Sequence, residues 1–127
     1  MIKDFLILNC IGKDGKIGLK VDDNFFVHDF NNKVKNNDQL VTSILNLTKK
    51  HKVIFDQNFT ILVNSGPGSF SSIRVALAVA RGIKLSKNIS LSGFKNSDLG
   101  QFSLANIELL IKKQLIQKKL IKPLYIS

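Results

Sequence analysis

One stretch, Asn58 to Ser86 (NFTILVNSGPGSFSSIRVALAVARGIKLS), restricts the fold more than any other part of the chain. Its apolar run, Ile61-Leu62-Val63, is bounded by polar residues and too short for a self-burying helix, so it predicts a buried strand. Gly66-Pro67-Gly68 breaks the run, because proline fixes its own φ and removes a donor while glycine tolerates conformations closed to other residues. Beyond this turn Ser69, Ser71 or Ser72 can cap a helix, and Ile73, Leu77 and Ala80 recur at helical spacing as far as Gly82. Ala76, Ala78 and Ala80 supply small side chains that let a partner backbone approach closely. Ile89 to Leu91 predicts the next strand. The unit is a crossover between parallel strands.

A glycine turn feeding a helix N-terminus exposes backbone amides that can hold an anion. The residues here lack the lysine and hydroxyl spacing of GxxxxGK[ST] and the GxGxxG dinucleotide pattern. A turn without ligand is therefore the simplest account of Gly66, Pro67, Gly68, Ser69 and Phe70, with Phe70 as its anchor. A nucleotide or phosphate contact and a protein contact are the alternatives.

Upstream, Phe5-Leu6-Ile7-Leu8 predicts a central strand within Asp4 to Cys10. Lys13-Asp14-Gly15-Lys16 and Asp22-Asp23-Asn24 carry turn signals, which places strands at Ile17 to Val21 and Phe25 to His28 in an antiparallel meander. Asn31 to Asn37 reads as a loop. A helix starts near Asp38, with Asn36 as N-cap and Gln39 in the reciprocal position, and ends at Lys49-Lys50, whose charges suit the helix C-terminus. Its stripe, Leu40, Val41, Ile44, Leu45 and Leu47, is broader than packing on a sheet requires. Val53-Ile54-Phe55 lies in a connector. Downstream, Ser92-Gly93 closes the last strand and Asn96-Ser97-Asp98 caps a short helix around Leu99 to Phe102. A final helix over about residues 104–120 buries Ile107, Leu110, Ile111 and Leu115 until Pro123 stops it. Residues 1–127 thus predict a single α/β domain. Its sheet is mixed and five-stranded, an antiparallel meander plus parallel crossover strands, with three to four helices.

Composition narrows the chemistry. The net charge of +10 could attract RNA or an acidic protein. The lysines are spread out, however, and only Lys112, Lys113, Lys118, Lys119 and Lys122 gather, so a solvated basic surface is the simpler account. No apolar run reaches the length of a membrane span, and MIKDFLILN is too short a run for a secretory leader, so a cytoplasmic protein is expected. Cys10 is alone, which rules out a disulfide framework or a cysteine metal cluster. His28 and His51 form no ligand pair, Glu108 has no second glutamate for acid and base work, and Ser69 lies in no G-x-S-x-G elbow. Asp14, Asp22 and Asp23 read as turn residues. No catalytic residue, metal site or cofactor is assigned.

Gly66-Pro67-Gly68-Ser69-Phe70-Ser71-Ser72-Ile73-Arg74, continuing through Leu77-Ala78-Val79-Ala80-Arg81-Gly82, closely resembles the signature GPGSFTGLRIGLATAKG of the TsaB (YeaZ-like) family. Ser72 and Ala76 stand where the signature has glycine. Pro123-Leu124-Tyr125-Ile126 is similar to the family's closing Pro-Leu-Tyr-Leu. The first strand runs into Asn9-Cys10-Ile11 where the family has Asp-Thr-Ser, and Asn36 to Leu40 replaces His-Ser-Glu-Arg-Leu.

The resemblance implies an actin-like, ribonuclease H-like lobe: the family's N-terminal lobe with a closing helix, most of the second lobe missing. Asn9 then marks a degenerate phosphate-motif position, and no nucleotide cofactor is expected. It further implies a non-catalytic subunit of bacterial tRNA threonylcarbamoyladenosine biosynthesis, paired with a TsaD-like catalytic subunit acting on adenosine 37 of tRNAs that read ANN codons. A TsaE-like ATPase would join through that complex, and contact with tRNA would be indirect. The implied pairing surface is Leu40, Ile44, Ser71, Arg74, Val75 and Ala78, which a homodimer would share. The alternative is a degenerate relative that self-associates or binds tRNA through its basic surface.

Overall fold

The first strand, β1 (Asp4–Asn9), sets the architecture because its inner residues are apolar on both sides, Phe5 to Leu8 all being at most 1% exposed. Such a strand needs cover above and below. In the computed structural model, which describes residues 2–10, 14–31, 37–67 and 70–117, that cover is helical on both faces. The elements that follow are β2 (Asp14–Val21), β3 (Asn24–Asn31), α1 (Asn37–Lys50), β4 (Phe59–Asn64), α2 (Phe70–Lys87), β5 (Ser90–Phe94), α3 (Asn96–Leu99) and α4 (Leu104–Lys112).

The sheet runs β3-β2-β1-β4-β5. β1, β2 and β3 form the antiparallel meander, whereas β4 lies parallel to β1 and β5 parallel to β4. Register places Leu6 between Leu19 and Ile61, and Leu8 between Ile17 and Val63, so one side of three strands is a continuous apolar layer. That layer packs against Leu40 and Ile44 of α1 and against Ile73, Ala76, Leu77 and Ala80 of α2. On the reverse side Phe5, Ile7, Leu62 and Phe94 pack against Leu99 of α3 and Ile107 and Leu110 of α4. Burying a side chain such as Ile107 or Leu110 is worth about 1.5–3 kcal/mol, which holds α4 across the sheet from α1 and α2.

Several boundaries differ from the sequence expectation for identifiable reasons. Asp14 and Gly15 belong to β2, not to a turn, because they pair with Asn31 and Phe30 and lengthen the hairpin. Strand pairing there overrides the Asp-Gly turn preference. The other predicted turn is real: Asp22 and Asp23 have φ of 50° and 66°, the left-handed pair that a two-residue hairpin requires. β5 continues to Phe94, whose ring is buried in the second core. α3 begins at Asn96, and Gly100, with φ of 70°, ends it before Phe102.

α4 stops at Lys112, well short of residue 120, because Gln114 turns the chain at φ of 57°. Gln117 then returns to β5, where it and Gly93 exchange backbone hydrogen bonds of 2.8 and 2.9 Å. Leu115 is consequently 41% exposed instead of continuing the buried stripe. Lys13, the Asn36 cap, the basic residues Lys118, Lys119 and Lys122, and the Pro123-Leu124-Tyr125-Ile126 segment lie outside the described residues.

Gly18 marks a close approach within the sheet. A Cβ there would stand 2.8 Å from Ile7 Cγ2 and 2.8 Å from Phe25 Cζ, both in the packed layer below α4. Gly82, on α2, has nothing within 4 Å. Urea denaturation is therefore expected to show Gly18→Ala destabilised by about 1–3 kcal/mol through overpacking. Gly82→Ala should be neutral or stabilised by up to about 1 kcal/mol through helix propensity.

Candidate functional site

In open α/β sheets the carboxyl ends of the parallel strands are where ligands gather. Here that end is built from three amides. β1 closes on Asn9, β4 on Asn64, and α3 opens with Asn96. Asn64, only 1% exposed, is the hub: its Nδ2 donates to Asn9 Oδ1 at 2.6 Å and to Asn96 Oδ1 at 3.0 Å, while its Oδ1 accepts from the Gly66 backbone N–H at 2.9 Å.

The same knot fixes the start of the glycine turn. Gly66, with φ of 106°, also has its carbonyl engaged, accepting from Asn96 N–H at 2.7 Å. Ser65 donates from both its N–H and its Oγ to the Phe94 carbonyl, at 2.8 and 2.9 Å. The Gly66-Pro67 peptide bond is cis and Pro67 is exposed. Gly68 and Ser69 lie outside the described residues, and Phe70 and Ser71 open α2. The hydrogen bonds of the hub join residues of this chain, and the three side chains carry no charge. The arrangement orients a turn and a helix start; it supplies neither a carboxylate for acid and base work nor an anionic ligand set.

Cys10, immediately after β1, is buried, and desolvation pushes its thiol up to about 12. A thiol held neutral is a poor nucleophile at physiological pH. His51 stacks on Phe26 with ring centres 3.7 Å apart, whereas His28 is exposed on β3. Among the described residues no three His, Cys, Asp or Glu side chains converge as a metal site.

The residues expected on a pairing surface separate into two sets. Leu40 and Ile44 are 2% and 0% exposed and belong to this chain's own core, a correction with a simple cause. α1 has one face on the sheet, and Leu40, Ile44 and Thr48, spaced four apart, occupy it. The outward apolar residues of α1 are Val41 and Leu45 instead, at 36% and 52% exposure. On α2, Arg74 and Ala78 face outward, Val75 is half-buried at the core margin, and Ala76 and Ala80 point into the sheet. The small side chains of α2 therefore serve two directions. α1 and α2 lie side by side, and because α3 and α4 occupy the opposite face of the sheet they do not cover them.

The knot of Asn9, Asn64 and Asn96 and the outward turn of Val41 and Leu45 were not anticipated from sequence. The asparagines are 55 and 32 residues apart and share no motif spacing.

No family model matches this chain. A 50-residue segment is 44% identical to the tRNA threonylcarbamoyladenosine biosynthesis protein TsaB of Buchnera aphidicola subsp. Baizongia pistaciae, covering 39% of this chain and 23% of that protein. The fold is similar to YeaZ from Pseudomonas aeruginosa, with a TM-score of 0.68 and 17% identity over 88% of this chain and 50% of that one. An uncharacterized protein with similarity to peptidase YeaZ, from Pseudomonas aeruginosa, gives a TM-score of 0.68 at 17% identity over 88% of this chain and 49% of its own. The chain thus spans about half the length of these solved structures and 23% of the curated relative. The likeness establishes the fold as an actin-like, ribonuclease H-like lobe.

Two measurements check this site. Asn64→Ala strands the buried Gly66 N–H, and each such loss costs about 1–3 kcal/mol, so chemical denaturation should show a drop of that order. The folded Cys10 thiol ionises near 12, against an ordinary 9.0 when unfolded. Its contribution to stability is therefore intact below 9 and declines as pH rises from there toward 12. A disulfide exchange reagent should label Cys10 at pH 8 only after denaturation, and rapid labelling of the native protein would contradict its burial.

Proposed function

We propose, on the premise that this chain is a TsaB-like (YeaZ-like) family member, that it is an accessory, non-catalytic subunit in tRNA threonylcarbamoyladenosine biosynthesis. It pairs with a TsaD-like catalytic subunit that modifies adenosine 37 of tRNAs reading ANN codons. A TsaE-like ATPase joins through that pair, and tRNA is met through the complex. A cytoplasmic location goes with this reading. Among the described residues no helix is long and apolar enough to cross a membrane.

The observation that carries this reading is the outward face of α1 and α2. Val41 and Leu45 are large apolar side chains left exposed on α1, and α2 beside it presents Ala78 with Arg74 one turn away. Small residues let a partner helix approach closely, apolar burial supplies affinity, and a guanidinium at the margin supplies register. Val75 extends the surface along α2. Leu40 and Ile44 support it from beneath by fixing the orientation of α1.

The neutral amide knot fits the same role. A subunit that acts by holding another protein needs a well-defined exit from β4, which Asn64 and Asn96 provide through Gly66. It needs no acid, base or nucleophile there.

Co-expression with the TsaD-like subunit tests the proposal. The wild-type chain should co-purify in a stoichiometric complex, and Ala78→Glu should weaken that complex at least about tenfold, the cost of roughly 1.4 kcal/mol or more. Far-UV circular dichroism should not change, because Ala78 is exposed. Unchanged assembly would remove α2 from the interface. Salt-sensitive tRNA binding by the isolated chain, with no complex formed, would favour the basic-surface alternative.

A further inference from the structure

Along the sequence the lysines are spread out, but the fold sorts the charges of its helices by layer. α1 and α2, on one side of the sheet, carry Lys49, Lys50, Arg74, Arg81, Lys84 and Lys87 against one carboxylate, Asp38. α3 and α4, on the other side, carry Lys112 against Asp98 and Glu108. The positive charge of the helices therefore belongs to the α1 and α2 side, and lysine-rich composition alone does not produce that division.

The charge also gathers at one end of that side. α1 runs into β4 and α2 into β5, and β4 and β5 are parallel neighbours, so the carboxyl ends of the two helices lie at the same end of the sheet. Lys49 and Lys50 occupy the last turn of α1, and Lys84 and Lys87 the last turn of α2. All four are exposed, and none forms an ion pair with a described residue. A helix dipole places about half a negative charge at its carboxyl end, so two lysines per helix exceed what the helices themselves neutralise. Spacing joins this end to the apolar surface of α1, since Val41, Leu45 and Lys49, four residues apart, form one outward row. On α2, Leu85 is 89% exposed between Lys84 and Lys87, two turns beyond Ala78.

We infer, resting on the docking proposed above, that this face takes its partner in one direction. The partner is a protein surface with apolar residues against Val41, Leu45 and Ala78 and carboxylates against the carboxyl ends of α1 and α2. A second copy of this chain would bring lysines to a face that already carries them, and like charges oppose contact. RNA phosphates would answer the lysines but not the adjoining apolar side chains, because nucleic-acid interfaces are more polar than protein ones. Lys84 and Lys87 stand beyond the apolar patch, and charges at an interface rim act chiefly on the rate of association and its salt dependence.

Stopped-flow association with the TsaD-like subunit at about 50 mM and about 300 mM salt tests the inference. The wild-type rate should fall at least about fivefold across that range. Lys84→Glu/Lys87→Glu should associate at least about tenfold more slowly at the lower salt, with dissociation changed by less than about twofold. Lys112→Glu/Lys113→Glu removes the same net charge at the end of α4, where both lysines are exposed, and should associate within about twofold of the wild type. Circular dichroism checks that both variants fold. Should the reversal on α2 fail to fold, Lys84→Gln/Lys87→Gln decides, with association slowed at least about threefold. A complex whose association is slowed equally by both reversals, or by neither, overturns the inference and leaves the pairing standing. Absence of any complex with the wild-type chain contradicts the pairing itself, and this inference with it. Unchanged subunit association together with lost binding to an RNA duplex of about 20 base pairs in Lys84→Glu/Lys87→Glu would assign these lysines to nucleic acid and overturn the inference.

Discussion

Burial of β1 and β4 on both faces is the constraint on which the remaining structure depends. Phe5 and Ile7 face one way and Leu6 and Leu8 the other, and β4 repeats the pattern with Leu62 against Ile61 and Val63. Neither side can be left to water without exposing several large apolar side chains. One layer of helices, α1 and α2, covers the Leu6 and Leu8 side; α3 and α4 cover the Phe5 and Ile7 side. Because these two demands use separate helices, the outward faces of α1 and α2 stay accessible. A single helical layer on one side could not have produced that division.

The second organising element is polar. Asn64 sits where β4 gives way to the glycine turn, and its side chain ties together the ends of β1 and β4 and the start of α3. A buried amide is costly when unpaired and specific when paired, so this junction fixes one geometry for the exit from β4 at Gly66. The carboxyl ends of parallel strands are ligand sites in many α/β proteins. Here the groups that meet there are uncharged and already bonded to one another, and the junction acts as structure.

How much of this was legible in the sequence depends on the range of the forces involved. The strand from Ile61 to Val63, the break at Gly66-Pro67 and the helix carrying Ile73, Leu77 and Ala80 follow from local periodicity, and the five-stranded mixed sheet follows from the order of such units. Features decided by distant partners were not legible. Asp14-Gly15 carries a turn signal, yet pairing with Phe30 and Asn31 draws it into β2. The lysine-rich sequence after Lys112 continues to look helical, but the chain turns at Gln114 so that Gln117 can cap the β5 edge. α1 has apolar residues over so much of its circumference that periodicity could not say whether Leu40 and Ile44 or Val41 and Leu45 faced the sheet. Packing in the core settles it, with Leu40 and Ile44 directed inward. The asparagine knot joins residues with no sequence relation and could be found only in three dimensions.

Function follows from which surfaces the fold leaves open. A 50-residue segment of the chain is similar to TsaB, and α2 lies beside the exposed apolar residues of α1. The role proposed for the chain is the docking of another protein on that two-helix face. Hydroxyl-radical footprinting with and without the TsaD-like subunit tests the claim most directly. Val41 and Leu45 on α1 should lose reactivity in the complex, and Leu109 and Leu115 on the opposite side, similarly exposed at 46% and 41%, should keep theirs. Protection of Leu109 and Leu115 with Val41 and Leu45 unchanged would contradict the account.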